Sequence, residues 1–259
     1  MNSHNKLRQS VRESYAKVAT ANTKNSNSPC CNTANANTEQ MSIKMGYSEN
    51  DVTNVPKSSN MGLGCGNPKA IAALKAGETV LDLGSGGGFD CFLAADEVGK
   101  SGHVIGVDMT HEMLDKARSN AKSIKATNID FRLGEIEHLP VADASVDVII
   151  SNCVINLSPE KQQVFKEAYR VLKANGRLAI SDIVTTAELP QHILDDVKKY
   201  TACIAGALSI KELTKILETT GFRHITIEPK EESKTFIKEW AETIAPEDYI
   251  VSATIEAIK

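Results

Sequence analysis

Between residues 78 and 185, short apolar runs alternate with longer stretches in which apolar positions recur every three or four residues. Short runs of this kind read as buried strands and the longer stretches as amphipathic helices, so the alternation predicts a parallel sheet covered by helices on both faces. Strands are expected over 80–83, 104–107, 129–133, 146–151 and 177–183. Between the last two, Val164, Phe165, Ala168, Val171 and Leu172 form the buried stripe of a helix. Ser158 is its expected N-cap, Pro159 its first helical position, and Asn175-Gly176 its stop. Upstream, 7–19 predicts a short helix with Leu7, Val11, Tyr15 and Val18 on one face. Residues 21–40 are rich in Asn, Ser and Thr and predict a flexible loop. The glycines and prolines of 60–68 predict irregular backbone around Cys65. Downstream, 189–208 is apolar and helical in part, 210–219 is an amphipathic helix ended by Gly221, and strands are expected over 225–227 and 250–255. There is no internal repeat. The expected organisation is an amino-terminal helix and cysteine-bearing arm (1–60), a central α/β domain (61–188), and an α+β region (189–259) packed on the same sheet.

The first strand ends in Asp82-Leu83 and passes through Gly84-Ser85-Gly86-Gly87-Gly88 into Phe89-Asp90. Glycines at such a turn let backbone N–H groups approach a ligand closely. Phe89 stands where a dinucleotide fold would place its last glycine, which points away from a pyrophosphate cradle and towards one for S-adenosyl-L-methionine. The second strand ends in Asp108-Met109, about twenty residues on, where a carboxylate can accept ribose hydroxyls. Ligands of an open α/β sheet bind beyond the carboxyl ends of its strands. The third strand ends in Gly134-Glu135-Ile136-Glu137, from which Glu135 can accept adenine amino hydrogens and the Ile136 N–H can donate to the ring. The fourth ends in Ser151-Asn152-Cys153, facing the methyl donor.

Composition narrows the partners. The chain has 259 residues, 41% hydrophobic and 24% charged, with a net charge of −4. That length buries a sizeable core, and the charge offers no footprint for nucleic acid or for an anionic membrane surface. No apolar stretch reaches the length of a membrane span, and residues 1–10 lack the apolar core of a signal peptide. A cytoplasmic monomer is therefore expected.

Six cysteines without a secretory signal read as core thiols, ligands or redox groups rather than as a disulfide framework. Cys91, between Phe89 and Phe92 on an apolar helix, reads as a small buried hydrophobe. Cys65, Cys153, Cys203 and the adjacent pair Cys30-Cys31 lie in segments that can converge over one face of the sheet. Their spacings suggest no zinc ribbon or finger. Soft thiolates select soft acceptors. A thiophilic ion with a lone pair, such as trivalent arsenic, can be held by two or three of them and needs no general base to accept a methyl group.

The sequence strongly resembles the arsenite S-adenosylmethionine methyltransferases. The matching stretches are Met61-Gly62-Leu63-Gly64-Cys65-Gly66-Asn67-Pro68, the 82–90 cradle, Gly134-Glu135-Ile136-Glu137-His138-Leu139-Pro140, Ser151-Asn152-Cys153-Val154-Ile155-Asn156-Leu157 and Cys203-Ile204-Ala205-Gly206-Ala207-Leu208. The likeness covers nearly everything after about residue 40, and its three cysteine contexts are specific. It implies a Rossmann-like class I methyltransferase fold and methylation of trivalent arsenicals in arsenic detoxification. It also implies that Cys65, Cys153 and Cys203 handle the arsenic, that Cys30 or Cys31 supplies an extra thiol, and that glutathione or thioredoxin acts as reductant. The cofactor set expected is Asp82, Gly84, Ser85, Gly86, Asp108, Met109, Glu135, Ile136 and Asn152. Two other readings keep parts of this pattern: a carbon methyltransferase of quinone or sterol type, which leaves the cysteines unexplained, and a thiol-based sensor without turnover.

Overall fold

The structure is a computed structural model that describes residues 3–21, 38–240 and 245–259. Among the described residues four α-helices precede the sheet: α1 (Ser3–Thr20), α2 (Thr38–Lys44), α3 (Glu49–Thr53) and α4 (Lys69–Ala72). The alternating unit follows as β1 (Thr79–Leu83), α5 (Phe89–Val98), β2 (His103–Asp108), α6 (His111–Ser123), β3 (Ile129–Leu133), β4 (Val146–Asn152), α7 (Lys161–Val171) and β5 (Leu172–Thr185). The remainder comprises α8 (Gln191–Leu194), α9 (Val197–Thr201), β6 (Leu208–Ser209), α10 (Ile210–Thr220), β7 (Arg223–Lys230), α11 (Lys234–Ile237) and β8 (Ile250–Ile258).

The strands form one sheet in the order β3-β2-β1-β4-β5-β8-β7, with β6 paired to the end of β5. β1 to β5 are parallel, whereas β8 runs antiparallel to both β5 and β7. Both faces are buried, and the side-chain period of two divides the core. Val80, Val104, Val148 and Ile150 point to the side of α5 and α6, while Leu81, Ile105, Ile149 and Leu178 point to the side of α7 and α10. Cys65, Cys91, Cys153 and Cys203 all belong to the first side. Strand order reverses between β1 and β4, and the ends of β1 to β4 open on one rim there.

Three local expectations change. α7 begins at Lys161 with Glu160 as its cap, because the Ser158 hydroxyl donates to Glu137 Oε1 (2.6 Å) and accepts the Glu160 N–H (3.0 Å), leaving Pro159 in a turn. The helix ends at Val171 rather than at Asn175, since Leu172 already pairs with Val146 in the sheet. Helix α2 starts inside the stretch expected to be loop. Of that stretch, residues 22–37, including Cys30 and Cys31, lie outside the described residues. The amphipathic helix over 210–219 is found as α10. Ser209 and Glu212 form its capping box, and Gly221 terminates it at φ +111°, a left-handed conformation that favours glycine.

Candidate active site

At the switch point, Gly84 (φ +71°), Gly86 (φ +51°) and Gly88 (φ +91°) turn the chain from β1 into α5. A Cβ on Gly84 would lie 2.5 Å from Val154 Cγ2, so the cradle packs directly on the turn that carries Cys153. The cavity over this turn is walled by Asp82, Ser85, Asp90, Asp108, Met109, Ile136, Glu137, Asn152, Cys153 and Cys203. Arg8, Val11 and Tyr15 of α1 and residues 59–61 close it from above.

Three of the buried carboxylates on the cavity wall, Asp82, Asp90 and Asp108, are shifted upward. Burial, then the neighbouring Asp90 charge, holds Asp82 well above the usual carboxylate range. Burial also pushes Asp90 up to about 6, against the Tyr47 hydroxyl and Asn152 amide that favour its charged form. Asp108 is raised by burial and drawn back by the N–H groups of Thr110 and Gly86, which donate to its oxygens at 2.8 and 2.9 Å. A cation in this cavity would offset the desolvation of all three. The Ser85 hydroxyl is buried there without a hydrogen-bond partner among the described residues. The glycine cradle, the convergent acids and this orphaned hydroxyl fit the sulfonium, ribose and amino-acid chemistry of S-adenosylmethionine.

Glu135 is placed differently from expectation. Its carboxylate turns outward to Arg12 Nη2 (3.0 Å) and lies near Arg8, while Ile136 and Glu137 face the cavity. Two guanidiniums on α1 draw it away from the rim. Glu137 is buried and accepts from both Ser158 Oγ (2.6 Å) and Arg8 Nε (3.1 Å).

Beside the cradle, three thiols form a chain with Cys153 in the middle. The Cys65 and Cys153 sulfurs lie within 4.8 Å of one another, and Cys203 meets Cys153 from the other side. The Cys203 thiol also donates to the Cys153 carbonyl at 3.1 Å. Cys153 and Cys203 sit at φ +59° and +61°, a region that costs a non-glycine residue about 1–3 kcal/mol. The Cys153 N–H bond to Ser181 O (2.8 Å) and the Cys203 N–H bond to Tyr200 O (3.0 Å) hold these turns. Burial raises the Cys65 thiol. Cys203 draws the Cys153 thiol down, but contact with Cys65 and burial raise it well above normal overall, and Cys203 is raised by Cys153 and burial. All three are therefore protonated at neutral pH. Cys91 is excluded from the cluster: it is fully buried, with its thiol donating to Asp82 Oδ2 at 3.2 Å.

Asp182, not singled out from the sequence, completes the cluster. Its carboxylate and the sulfurs of Cys65 and Cys153 lie within 4.8 Å of one another. Burial raises it to about 6, although it accepts the N–H groups of Ile155 (3.0 Å) and Ile183 (2.8 Å) and the Asn156 amide (2.9 Å). A lone acid inside the apolar 177–183 run was the available signal.

The sheet order, the glycine turn and the acid at the end of β2 define a Rossmann-like class I S-adenosylmethionine-dependent methyltransferase. Residues 74–221 match the family described as methyltransferase domain. The chain is 33% identical to an arsenic(III) S-adenosylmethionine methyltransferase from Chlamydomonas reinhardtii. That crystal structure superposes with a TM-score of 0.64 over 86% of this chain and 74% of the other. Arsenite methyltransferase of Halobacterium salinarum is 52% identical over 264 residues, covering 97% of this chain and 66% of the relative. The Homo sapiens arsenite methyltransferase is 43% identical over 152 residues, covering 55% and 40% respectively. This chain belongs to the arsenic(III) S-adenosylmethionine methyltransferase family. It spans about two-thirds or less of the length of these curated relatives.

Proposed function

We propose that this chain transfers the methyl group of S-adenosylmethionine to trivalent arsenic held by Cys65, Cys153 and Cys203, as one step of arsenic detoxification. The observation that carries the reading is the thiol chain at the end of β4, packed against the glycine cradle through Val154. S-Adenosylmethionine, when bound, supplies an electrophilic methyl group. Asp82, Gly84, Ser85, Gly86, Asp108, Met109, Ile136 and Asn152 are the residues that would hold it, Asp108 through lone pairs left beside its two N–H bonds.

The residues of the chain do the rest. Each thiol that binds arsenic loses its proton to a departing arsenic ligand, so the raised thiol pKa values are relieved on binding. Fixing the arsenic lone pair at the cradle converts a bimolecular encounter into a unimolecular one, worth up to about 7–11 kcal/mol. Methylation oxidises arsenic by two electrons. Two neighbouring thiolates can return them by closing a disulfide as their bonds to arsenic break, which leaves a trivalent methylated product. Glutathione or thioredoxin then reduces that disulfide by exchange. Cys30 or Cys31 is assigned the extra amino-terminal thiol, and the chain is taken to act as a cytoplasmic monomer. Among the described residues no helix is long and apolar enough to cross a membrane.

The test is to incubate the purified chain with arsenite, S-adenosylmethionine and glutathione and to speciate the arsenic. Methylated arsenicals are expected, and arsenite recovered unchanged would refute the reading. Asp108→Ala and Gly86→Val should each weaken cofactor binding at least tenfold in calorimetry while arsenite still binds.

A further inference from the structure

Asn152 ends β4 between the two halves of the site, and its amide is shared by both. Oδ1 accepts the Cys65 N–H at 2.9 Å, while Nδ2 donates to the Gly66 carbonyl at 2.8 Å, to the Tyr47 hydroxyl oxygen at 3.0 Å and, at a longer 3.5 Å, to Asp90 Oδ2. Tyr47 in turn donates its proton to Asp90 Oδ1 at 2.6 Å. These contacts fix the amide orientation. Reversed, it would set oxygen against the Gly66 carbonyl and N–H against N–H at Cys65.

The loop around Cys65 is built onto this amide. Gly64 lies at φ +127°, and a Cβ there would come within 2.8 Å of the Asn152 amide. Gly66 packs equally close to Ser181, where a Cβ would meet Oγ at 2.9 Å. The loop therefore packs on Asn152 of β4 and Ser181 of β5, with the Cys65 sulfur within 4.8 Å of that of Cys153. On the other side, Tyr47 and Asp90 are walls of the cofactor cavity.

We infer that Asn152 is a positioning residue that couples occupation of the cofactor cavity to presentation of the Cys65 thiol, through the chain Asp90–Tyr47–Asn152–Cys65. A ligand settling against Tyr47 and Asp90 restrains the hydroxyl–carboxylate pair. The Asn152 amide, with its acceptor and other donor committed to the loop, transmits that restraint to residues 64–66. Coupling of this kind is reciprocal: the cofactor tightens binding of an acceptor that needs Cys65, and that acceptor tightens the cofactor by the same factor. The inference rests on the arsenic reading above.

The test is a linkage measurement without turnover. The intact chain is titrated calorimetrically with S-adenosylhomocysteine, alone and with saturating arsenite, and then with arsenite, alone and with saturating S-adenosylhomocysteine. Wild type is expected to show the same enhancement, about fivefold or more, in both directions. Asn152→Ala should bind each ligand with coupling reduced towards one. Tyr47→Phe keeps the Asn152–loop bonds and the longer Asn152–Asp90 contact and removes the hydroxyl link, so it separates coupling from loop folding and should lose most of the enhancement. A purely structural Asn152 would weaken binding and leave the ratio intact. Both ligands binding without coupling in wild type, or wild-type coupling in Tyr47→Phe, overturns the inference alone. A wild-type chain that binds S-adenosylhomocysteine but not arsenite overturns the arsenic reading and this inference with it.

Discussion

Cys153 and Cys203 hold their thiols together from two left-handed turns, while Cys91 sits in ordinary helix with its sulfur on Asp82. These two clustered thiols and the packed one thus differ in backbone conformation. The sequence marks Cys153 as a strand-end residue and Cys91 as one apolar residue among others, so this division was readable. The role of Asp182 was not, because an acid in an apolar strand looks the same whether it caps backbone N–H groups or faces a thiol. Asp182 does both. Cys153→Ser and Cys203→Ser should abolish methylation, because a hydroxyl is too hard and too weakly acidic to replace thiolate on arsenic. Cys91→Ser retains a donor to Asp82 and should cost about 1–2 kcal/mol of stability with methylation still measurable. Rates on arsenite and thermal melts of the three variants check this. An essential Cys91 with a dispensable Cys203 would place the chemistry elsewhere.

Among the elements, β1 to β4 were legible within a residue or so, because both faces of a parallel sheet are buried and the strands read as apolar runs. Helix α7 shifted because a tertiary partner, Glu137, claimed the hydroxyl that local sequence assigned to capping. Helix α1 carried a further surprise: it closes the cavity, with Arg8 beside Val11 and Tyr15 of its apolar face. Arg8, almost buried, bridges Glu137 and Glu160, and Arg12 pairs with Glu135. Such long-range ion pairs leave no mark on a helical pattern. Arg8→Ala strands the buried Glu137 carboxylate with Ser158 as its remaining close donor, and removing one partner of a buried pair costs about 3–5 kcal/mol. Glu160 is half-exposed, so the lower end is expected, concentrated in α1 docking. Amide exchange across 3–20 should accelerate and S-adenosylhomocysteine affinity should fall. Unchanged protection of α1 would show that apolar contacts at Val11 and Tyr15 hold it without the latch.

At the scale of the whole molecule, β8 returns from the carboxyl end to lie between β5 and β7, pairing with β5 along residues 177–185. Strand patterns at 225–227 and 250–255 were visible in the sequence. Their antiparallel insertion was not, because strand periodicity carries no partner. A chain cut after residue 188 would expose the β5 edge and the apolar face covered by α10, so it should aggregate. A soluble fragment with native circular dichroism would contradict this. Stability of the whole chain should also vary with pH in a manner set by the cavity acids. Asp90 is held at about 6 against an ordinary 3.8, by burial above all. Tyr47, Asn152 and Lys69 favour its charged form, Asp51 opposes it, and the neighbouring Asp82 is shifted upward as well. A raised folded value means that the folded chain binds the proton more tightly. The stabilisation is complete below the unfolded value and is lost as pH rises through about 6. Asp51, Glu78, Asp147 and Glu167 are lowered instead, chiefly by hydrogen bonds and ion pairs that outweigh burial where burial opposes them. Their contribution is present above the unfolded value and lost as pH falls through the lowered one. The ligand-free melting temperature should therefore peak near about pH 5 and decline towards neutrality. Asp90→Asn, which can still accept from Tyr47, should make the decline shallower and leave the share of Asp182, which burial also holds at about 6. Saturating S-adenosylmethionine, by placing a cation beside the acids, should lower their folded values and so shrink the decline. Melts between pH 4 and 8 test all three, and an Asp90→Asn profile parallel to wild type would show that Asp90 is not the titrating group.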